Sequence, residues 1–379
     1  MLYIALRMLF GDRAKSILLL CALGFATLLM AQQTSVFFGL LKWTTAMMRN
    51  SKATIWVVDK NTQQLNELKN IRDIEVGRVR SVEGVQWAMP MSFTIIQAKM
   101  PDGFFRNIQL IGLDSATLAG HPTQIKKGSI FELLNAKTVM IDQVAIEMLS
   151  PDPANPIGVG STFEINDKEA RVVAVSQTDR AFFGYPYVYT TYSQATKYVP
   201  PRRRMLGYII AEPSPGHKPA DVARRIERET GLNAYLEKEF ARKTVIWFFK
   251  NTGIPIAFGS TVILGFIVGI AIAGQTFYSF ILENIPNFAV LKAMGATNRT
   301  IYQMMIVQAS IVGIMGYGFG IGLAGLFGRA VIRRGQPPFS LDTTILITTF
   351  IAIFLICCFS VLIAGKKIKE IEPAQVFRV

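Results

Sequence analysis

Residues 283–300 read "ENIPNFAVLKAMGATNRT", and an uncharged run lies on each side of them, Asn251–Leu282 before and Thr300–Gly328 after. Two further uncharged windows, Ser16–Leu41 and Thr343–Gly365, complete the pattern. Each window exceeds the ~20 residues that a helix rising 1.5 Å per residue needs to cross a bilayer. Across all 379 residues 51% are hydrophobic and 17% charged, against roughly a quarter charged in a soluble domain. The fold class expected is an α-helical membrane protein with four transmembrane helices, at 16–41, 251–282, 300–328 and 343–365. An α+β extracytoplasmic domain fills 42–250.

The first window follows Arg7, Arg13 and Lys15 and could be read as a secretory signal. A signal core is shorter, ~7–15 residues, and ends at a small-residue cleavage site. Here the uncharged run continues through "LLMAQQTSVFFGLL", so a span is expected. Leu20 is too bulky for a lipid-attachment motif at Cys21. All three cysteines, Cys21, Cys357 and Cys358, fall inside spans. The large domain is therefore expected to fold without disulfides or thiolate-bound zinc.

Arg7, Arg13, Lys15, Lys292, Arg299, Lys366, Lys367, Lys369 and Arg378 cluster at one set of span ends. Arg329, Arg333 and Arg334 oppose the trend, but the bias places both termini in the cytoplasm. On that orientation 1–15 is a cytoplasmic amphipathic segment, 283–299 a cytoplasmic loop, 329–342 a short outer loop and 366–379 a cytoplasmic tail. The 42–250 segment holds 28 Lys and Arg against 21 Asp and Glu, half of the +14 total. The remaining charge flanks the spans and suits phospholipid headgroups better than nucleic acid.

Within 42–250, β-branched and aromatic density predicts strands at 53–59, 93–100, 105–113, 170–176 and 187–192. "MPDGFF" predicts a hairpin between the second and third. Pro219, apolar Ala223, Ile226 and Thr230, and Gly231 predict a helix over 219–231. Two lobes are expected, with an insertion over about 116–200. The arginine run in "PPRRRM" (200–205) and the tyrosines of "FFGYPYVYTTYSQATKY" leave two readings, a solvated loop after an aromatic strand or a docking surface.

Catalytic signals are missing. His121 and His217 lie apart in loop-like surroundings, no nucleotide-cradling glycine loop occurs, and no G-x-S-x-G turn is present. The spans carry no charged side chain. No catalytic residue and no metal ligand is assigned, and the chain is not expected to be an enzyme. Gly265/Gly269, Gly316/Gly320 and Gly318/Gly322 stand at the four-residue spacing that lets helix backbones approach, within one subunit or with a second copy.

The opening stretch can now be read in detail. Pro286 suits a first helical turn, with Asn284 or Ile285 as cap. Phe288, Leu291 and Met294–Gly295 fall toward one side, with Val290 beside Met294. Gly295 suits the left-handed position that ends a helix, and Thr297 or Asn298 can cap the next span. Physics alone leaves two roles for this short helix, docking in a groove of a cytosolic partner or lying on the lipid surface.

"FAVLKAMGATNRTIYQMM" (288–305) resembles the cytoplasmic loop of ABC-transporter permeases of the MacB/FtsX/LolC type (the type VII superfamily), closest to the DevC-like branch. The tail "IKEIEPAQVFRV" and the segment "RVRSVEGVQWAMP" (78–90) are similar to further motifs of that family, as is the order of one span, a large domain and three spans. The resemblance implies a MacB-like periplasmic core domain and a coupling helix that meets a separate ATPase dimer, which uses ATP and Mg. Carried over by residue, the coupling positions are Phe288, Leu291, Lys292, Ala293, Met294 and Gly295. The family's usual acid is replaced by Asn287, and Glu283 one turn earlier could substitute.

The resemblance further implies a homodimeric permease of a bacterial inner membrane, without a bound cofactor, in contact with membrane lipids. Its expected role is mechanotransmission in a tripartite efflux system, with a HlyD-type membrane-fusion protein and an outer-membrane channel. Lipid or lipoprotein extraction, and FtsX-like regulation of an envelope hydrolase, are the alternatives. The second span is expected to continue outward through "EFARKTVIWFFKN" (239–251) as a lever.

Overall fold

The computed structural model describes residues 13–67, 69–152, 154–200, 206–334 and 337–365. The "RRR" run and the 366–379 tail lie outside the described residues, as does most of the 1–15 segment. The chain forms two compact units, one of residues 1–39 with 253–379 and one of Leu40–Thr252.

Among its described residues the first unit holds four helices long and apolar enough to cross a membrane: α1 (Arg13–Thr44), α8 (Ile254–Glu283), α10 (Asn298–Arg334) and α11 (Thr343–Gly365). Helix α10 runs past the expected end at Gly328 to Arg334. A charge marks where the bilayer stops being tolerable, whereas a helix continues until its backbone is capped. Lipid offers no hydrophobic drive for helices to meet, so close van der Waals packing has to hold them together. A Cβ on Gly316 would stand 2.8 Å from Leu23 Cβ, and one on Gly320 would collide with the Gly24 carbonyl oxygen and Thr27. Gly269 packs on Ile356 and Ala26, and Gly265 makes ordinary contact with Leu29 and Met30. A Cβ on Gly318 or Gly322 would meet nothing within 4 Å among the described residues. Two residues turn a helix by about 200°, so the two glycine registers of α10 cannot face one neighbour.

Gly320→Val should therefore lower the melting temperature of the purified chain, at an overpacking cost of about 1–3 kcal/mol. Gly322→Ala should melt like the parent. Equal melting of the two variants would remove Gly320 from the helix contact.

The Leu40–Thr252 unit is built on a ten-stranded mixed sheet, ordered β10-β1-β9-β2-β3-β8-β5-β7-β4, with β6 pairing both β2 and β7. The strands are β1 (Ile55–Val58), β2 (Val85–Lys99), β3 (Phe105–Leu113), β4 (Ile125–Gly128), β5 (Thr138–Asp142), β6 (Thr162–Ile165), β7 (Lys168–Ser176), β8 (Tyr187–Thr191), β9 (Tyr208–Pro213) and β10 (Asn233–Leu236). Helices α2 (Ala46–Ser51), α3 (Ile74–Arg80), α4 (Gln143–Leu149), α5 (Tyr192–Tyr198), α6 (Pro219–Thr230) and α7 (Glu237–Asn251) complete it. Strand β2 gives its first half to β9 and its second half, from Ser92, to the β3 hairpin.

Side chains alternate across each strand, so both sheet faces can be buried. Ile55 and Val57 enter a core with α3 and α6, while Trp56 and Val58 enter another with Tyr208 and Phe240. Val188 likewise packs with Ile108 and Ile141, and Tyr187 and Tyr189 point into the Trp56 core. Helix α6 starts at Pro219 and ends at Gly231, which takes φ 74°, with Val222, Ala223, Ile226 and Thr230 buried.

The expected continuous lever is not found. Helix α7 stops at Asn251, Thr252 is extended, and α8 starts afresh at Ile254 with Pro255 in its first turn. A proline at 255 collides with the carbonyl of residue 251 in an unbroken helix, which enforces the stop.

Asp142 caps α4. Its Oδ1 accepts from the Ala145 amide at 2.7 Å, and its Oδ2 from the Tyr187 amide at 3.0 Å. Burial outweighs these bonds and pushes the carboxyl up to about 6. The folded value lies above the unfolded one, so this contribution to stability is complete below about pH 4 and is lost as pH rises through about 6. Between pH 4 and 7 the wild-type advantage over Asp142→Asn should shrink, by on the order of 3 kcal/mol. Parallel melting curves across that range would rule this out.

Candidate functional site

The short helix α9 spans Ile285–Ala293, with Pro286 in its first turn. Its entry is fixed by Asn284. The Asn284 amide N–H donates to the Phe280 and Ile281 carbonyls at 3.1 Å, and its side-chain amide donates to Phe280 O at 2.9 Å. Asn284 Oδ1 does not cap the helix backbone; it accepts from the side chain of Asn287 at 3.0 Å. The residue standing at the family's acidic position is thus tied into the turn.

The exit is fixed as tightly. Ala296 N–H donates to Leu291 O and Gly295 N–H to Lys292 O, both at 2.9 Å, and Gly295 takes φ 94°. These paired bonds and the left-handed residue form a Schellman stop, which satisfies carbonyls that the helix leaves open. Thr297 Oγ1 then accepts from the Thr300 amide at 3.3 Å and opens α10.

The face expected on one side is divided by the fold. Phe288, Ala289 and Leu291 are buried in the span unit's core, among residues that include Phe277, Ile281, Ile301 and Met305. Met294 is 71% exposed and Val290 42% exposed. Glu283, Pro286, Asn287, Ala293 and Gly295 are also exposed, and Lys292 is half-buried. Partial burial lowers the Lys292 ammonium below its ordinary range. Met294 does not share the Phe288 side: at about 100° per residue six positions leave the two about 120° apart, whereas seven positions bring Met294 to within about 20° of Asn287.

Phe288 and Leu291 thus anchor the helix, and Asn287, Val290 and Met294 form its outward stripe at three- and four-residue spacing. Val290 was not among the expected coupling residues, although its four-residue distance from Met294 marks it. The Asn284–Asn287 bond has no sequence signal beyond two asparagines three apart. Among the described residues no group of three His, Cys, Asp or Glu is placed to hold a metal. The site offers a shaped apolar and polar surface.

Comparison with known proteins agrees with this layout. Residues 16–229, more than half of the chain, match the MacB-like periplasmic core domain, and 259–373 match the C-terminal region of FtsX-like permeases. A macrolide export ATP-binding/permease protein, MacB of Agrobacterium fabrum, is 24% identical over 300 residues, covering 70% of this chain and 45% of that protein. An ABC transporter permease of Mycobacterium tuberculosis is 26% identical over 119 residues, covering 30% and 32%. The chain therefore spans less than half the length of these relatives. Among solved structures, the periplasmic region of MacB from Actinobacillus actinomycetemcomitans is 15% identical with a TM-score of 0.38, over 54% of this chain and 96% of that one. The extracellular domain of the transporter YknZ from Gram-positive bacteria is 11% identical with a TM-score of 0.36, over 48% and 98%. With the periplasmic core matched over more than half its length and the FtsX-like region over its last three spans, the chain belongs to the MacB/FtsX family of ABC-transporter permeases.

Proposed function

We propose that this chain is the permease subunit of an ATP-driven exporter, and that α9 is the element through which a separate ATPase drives it. The observation that carries the reading is the division of α9. One side is locked into the span core by Phe288 and Leu291, and the other presents Asn287, Val290 and Met294. A helix clamped at both ends and seated on its own spans passes a push at its outer face to α8 and α10 instead of absorbing it. The MacB relative carries both ATP-binding and permease functions under one name, which supports pairing with an ATPase here. ATP and Mg would be used by that subunit.

On this reading two permease copies stand in a bacterial inner membrane with both termini in the cytoplasm. The open Gly318/Gly322 face of α10 supplies room for close approach of the second copy. Motion would reach the outer domain by mechanotransmission through two helices in series, α8 and α7, because Thr252–Gly253 interrupts the rod. A HlyD-type fusion protein and an outer-membrane channel would complete the export path. The test is to replace 285–294 with a glycine–serine linker of equal length. Co-purification of the cognate ATPase should be lost while the chain still inserts, and retention at the parental level would overturn the assignment.

A further inference from the structure

The exposed apolar side chains of the Leu40–Thr252 unit include Phe183 at 41% exposure, Ile246 at 40% and Phe249 at 46%. Single exposed hydrophobes are ordinary on any protein surface. These three are distinguished by where the chain holds them. Ile246 and Phe249 stand one turn apart near the end of α7, and Ile254, the first residue of α8, lies only five positions beyond Phe249. Five residues reach at most about 18 Å.

Phe183 is far from any span in sequence, yet its loop is tied to both places where the chain leaves and re-enters the spans. On one side, Arg49 Nε donates to Asp179 Oδ2 at 2.7 Å, and the Asp179 amide donates to Asn50 Oδ1 at 2.9 Å. Both partners lie on α2, which begins two residues after α1 ends at Thr44. On the other side, Phe182 packs edge-on against Phe248 of α7, with ring centroids 4.7 Å apart. The loop is therefore held at the end of this domain from which both spans emerge.

Polarity along α7 points the same way. Its exposed stripe runs Lys238, Arg242, Ile246, Phe249, from cations to apolar groups, over about 16 Å at 1.5 Å per residue. Exposed Lys250 and Lys52 flank the two chain crossings. Aromatic side chains with neighbouring cations suit the headgroup layer, where the rings enter the acyl boundary and the cations meet lipid phosphates. We propose that Phe183, Ile246 and Phe249 form a lipid-contact patch by which the extracytoplasmic domain rests on the outer-leaflet surface. The domain then has a third foothold, Phe183, besides its two covalent links to the spans.

The test uses the full chain with Cys21, Cys357 and Cys358 replaced by alanine. Single cysteines at Lys238, Arg242, Ile246, Phe249 and Phe183 carry an environment-sensitive fluorophore, in nanodiscs of phosphatidylethanolamine and phosphatidylglycerol. Two quenchers are compared, a doxyl lipid labelled close to its headgroup and aqueous iodide. Labels at Phe249 and Phe183 should lose about half their intensity or more to the doxyl lipid and little to iodide, as expected of interfacial side chains. Lys238 should behave oppositely, with Arg242 and Ile246 between. The Phe183 label decides the matter, because α7 approaches the membrane by chain continuity alone. Iodide quenching at Phe183 equal to that at Lys238 overturns the proposal. So does protection from both quenchers, which would mean that protein covers the patch. Phe183→Trp, which keeps the aromatic ring, should show blue-shifted emission added to that of the native tryptophans, and a shift to the red on adding it would count against the proposal as well.

Discussion

Val290→Glu combined with Met294→Glu should release the ATPase from the permease and leave all four spans inserted. Both side chains stand exposed on α9, so neither substitution disturbs the span core. In a complex each carboxylate would have to be desolvated against an apolar groove without a partner. An unpaired buried charge of this kind costs about 3–5 kcal/mol, which corresponds to a loss of affinity of a hundredfold or more. Co-purification from detergent and ATP turnover by the captured complex should fall together. Thermal melting of the permease alone should stay at the parental value. An ATPase yield unchanged by the double substitution would show that α9 does not meet its partner through this face.

Phe288→Ala should act in the opposite order, on the fold first and on coupling through it. Phe288 is 1% exposed and packs within the core that joins α9 to the spans. Truncating a buried phenylalanine costs about 3–5 kcal/mol, from lost contacts and the cavity left behind. The purified chain should melt lower, and its ATPase capture should drop because the helix loses its seat. Met294→Ala, at an exposed site, should leave melting unchanged. If Phe288→Ala melts like the parent while losing the ATPase, Phe288 is a contact residue and the anchoring account of α9 is wrong.

Much of this was legible in the residues because the strongest signals are those of length and charge. Four uncharged windows and a proline–glycine bracket located the spans and α9, since a bilayer forbids charge over a fixed thickness and a helix end has few chemical solutions. The β2–β3 hairpin and α6 were readable from a turn and a helix stop. Strands β4, β6 and β10 were not, because their four residues, IKKG, TFEI and NAYL, are diluted by charged or weak strand formers, whereas equally short β1, IWVV, is not. Strand β5, "TVMID", is buried along its whole length, and a strand buried on both faces shows no alternation to read. The division of α9 was present in the spacing itself. Six positions at about 100° each set Met294 about 120° from Phe288 and beside Asn287 and Val290, so one face could not hold Phe288, Leu291 and Met294 together. The spacing of glycines marks candidate contacts, and only the packing shows that Gly320 meets α1 and Gly322 does not.

The central claim is that the outward stripe of α9 touches the ATPase. Site-specific photo-crosslinking tests it most directly, with a photoreactive residue placed singly at Val290, Leu291 and Met294 in cells that co-express the cognate ATPase. Val290 and Met294 should give an adduct of permease with ATPase, and buried Leu291 should give none. Adducts of Val290 and Met294 with lipid alone, or with no protein, would contradict the account and leave α9 as a helix lying on the membrane surface.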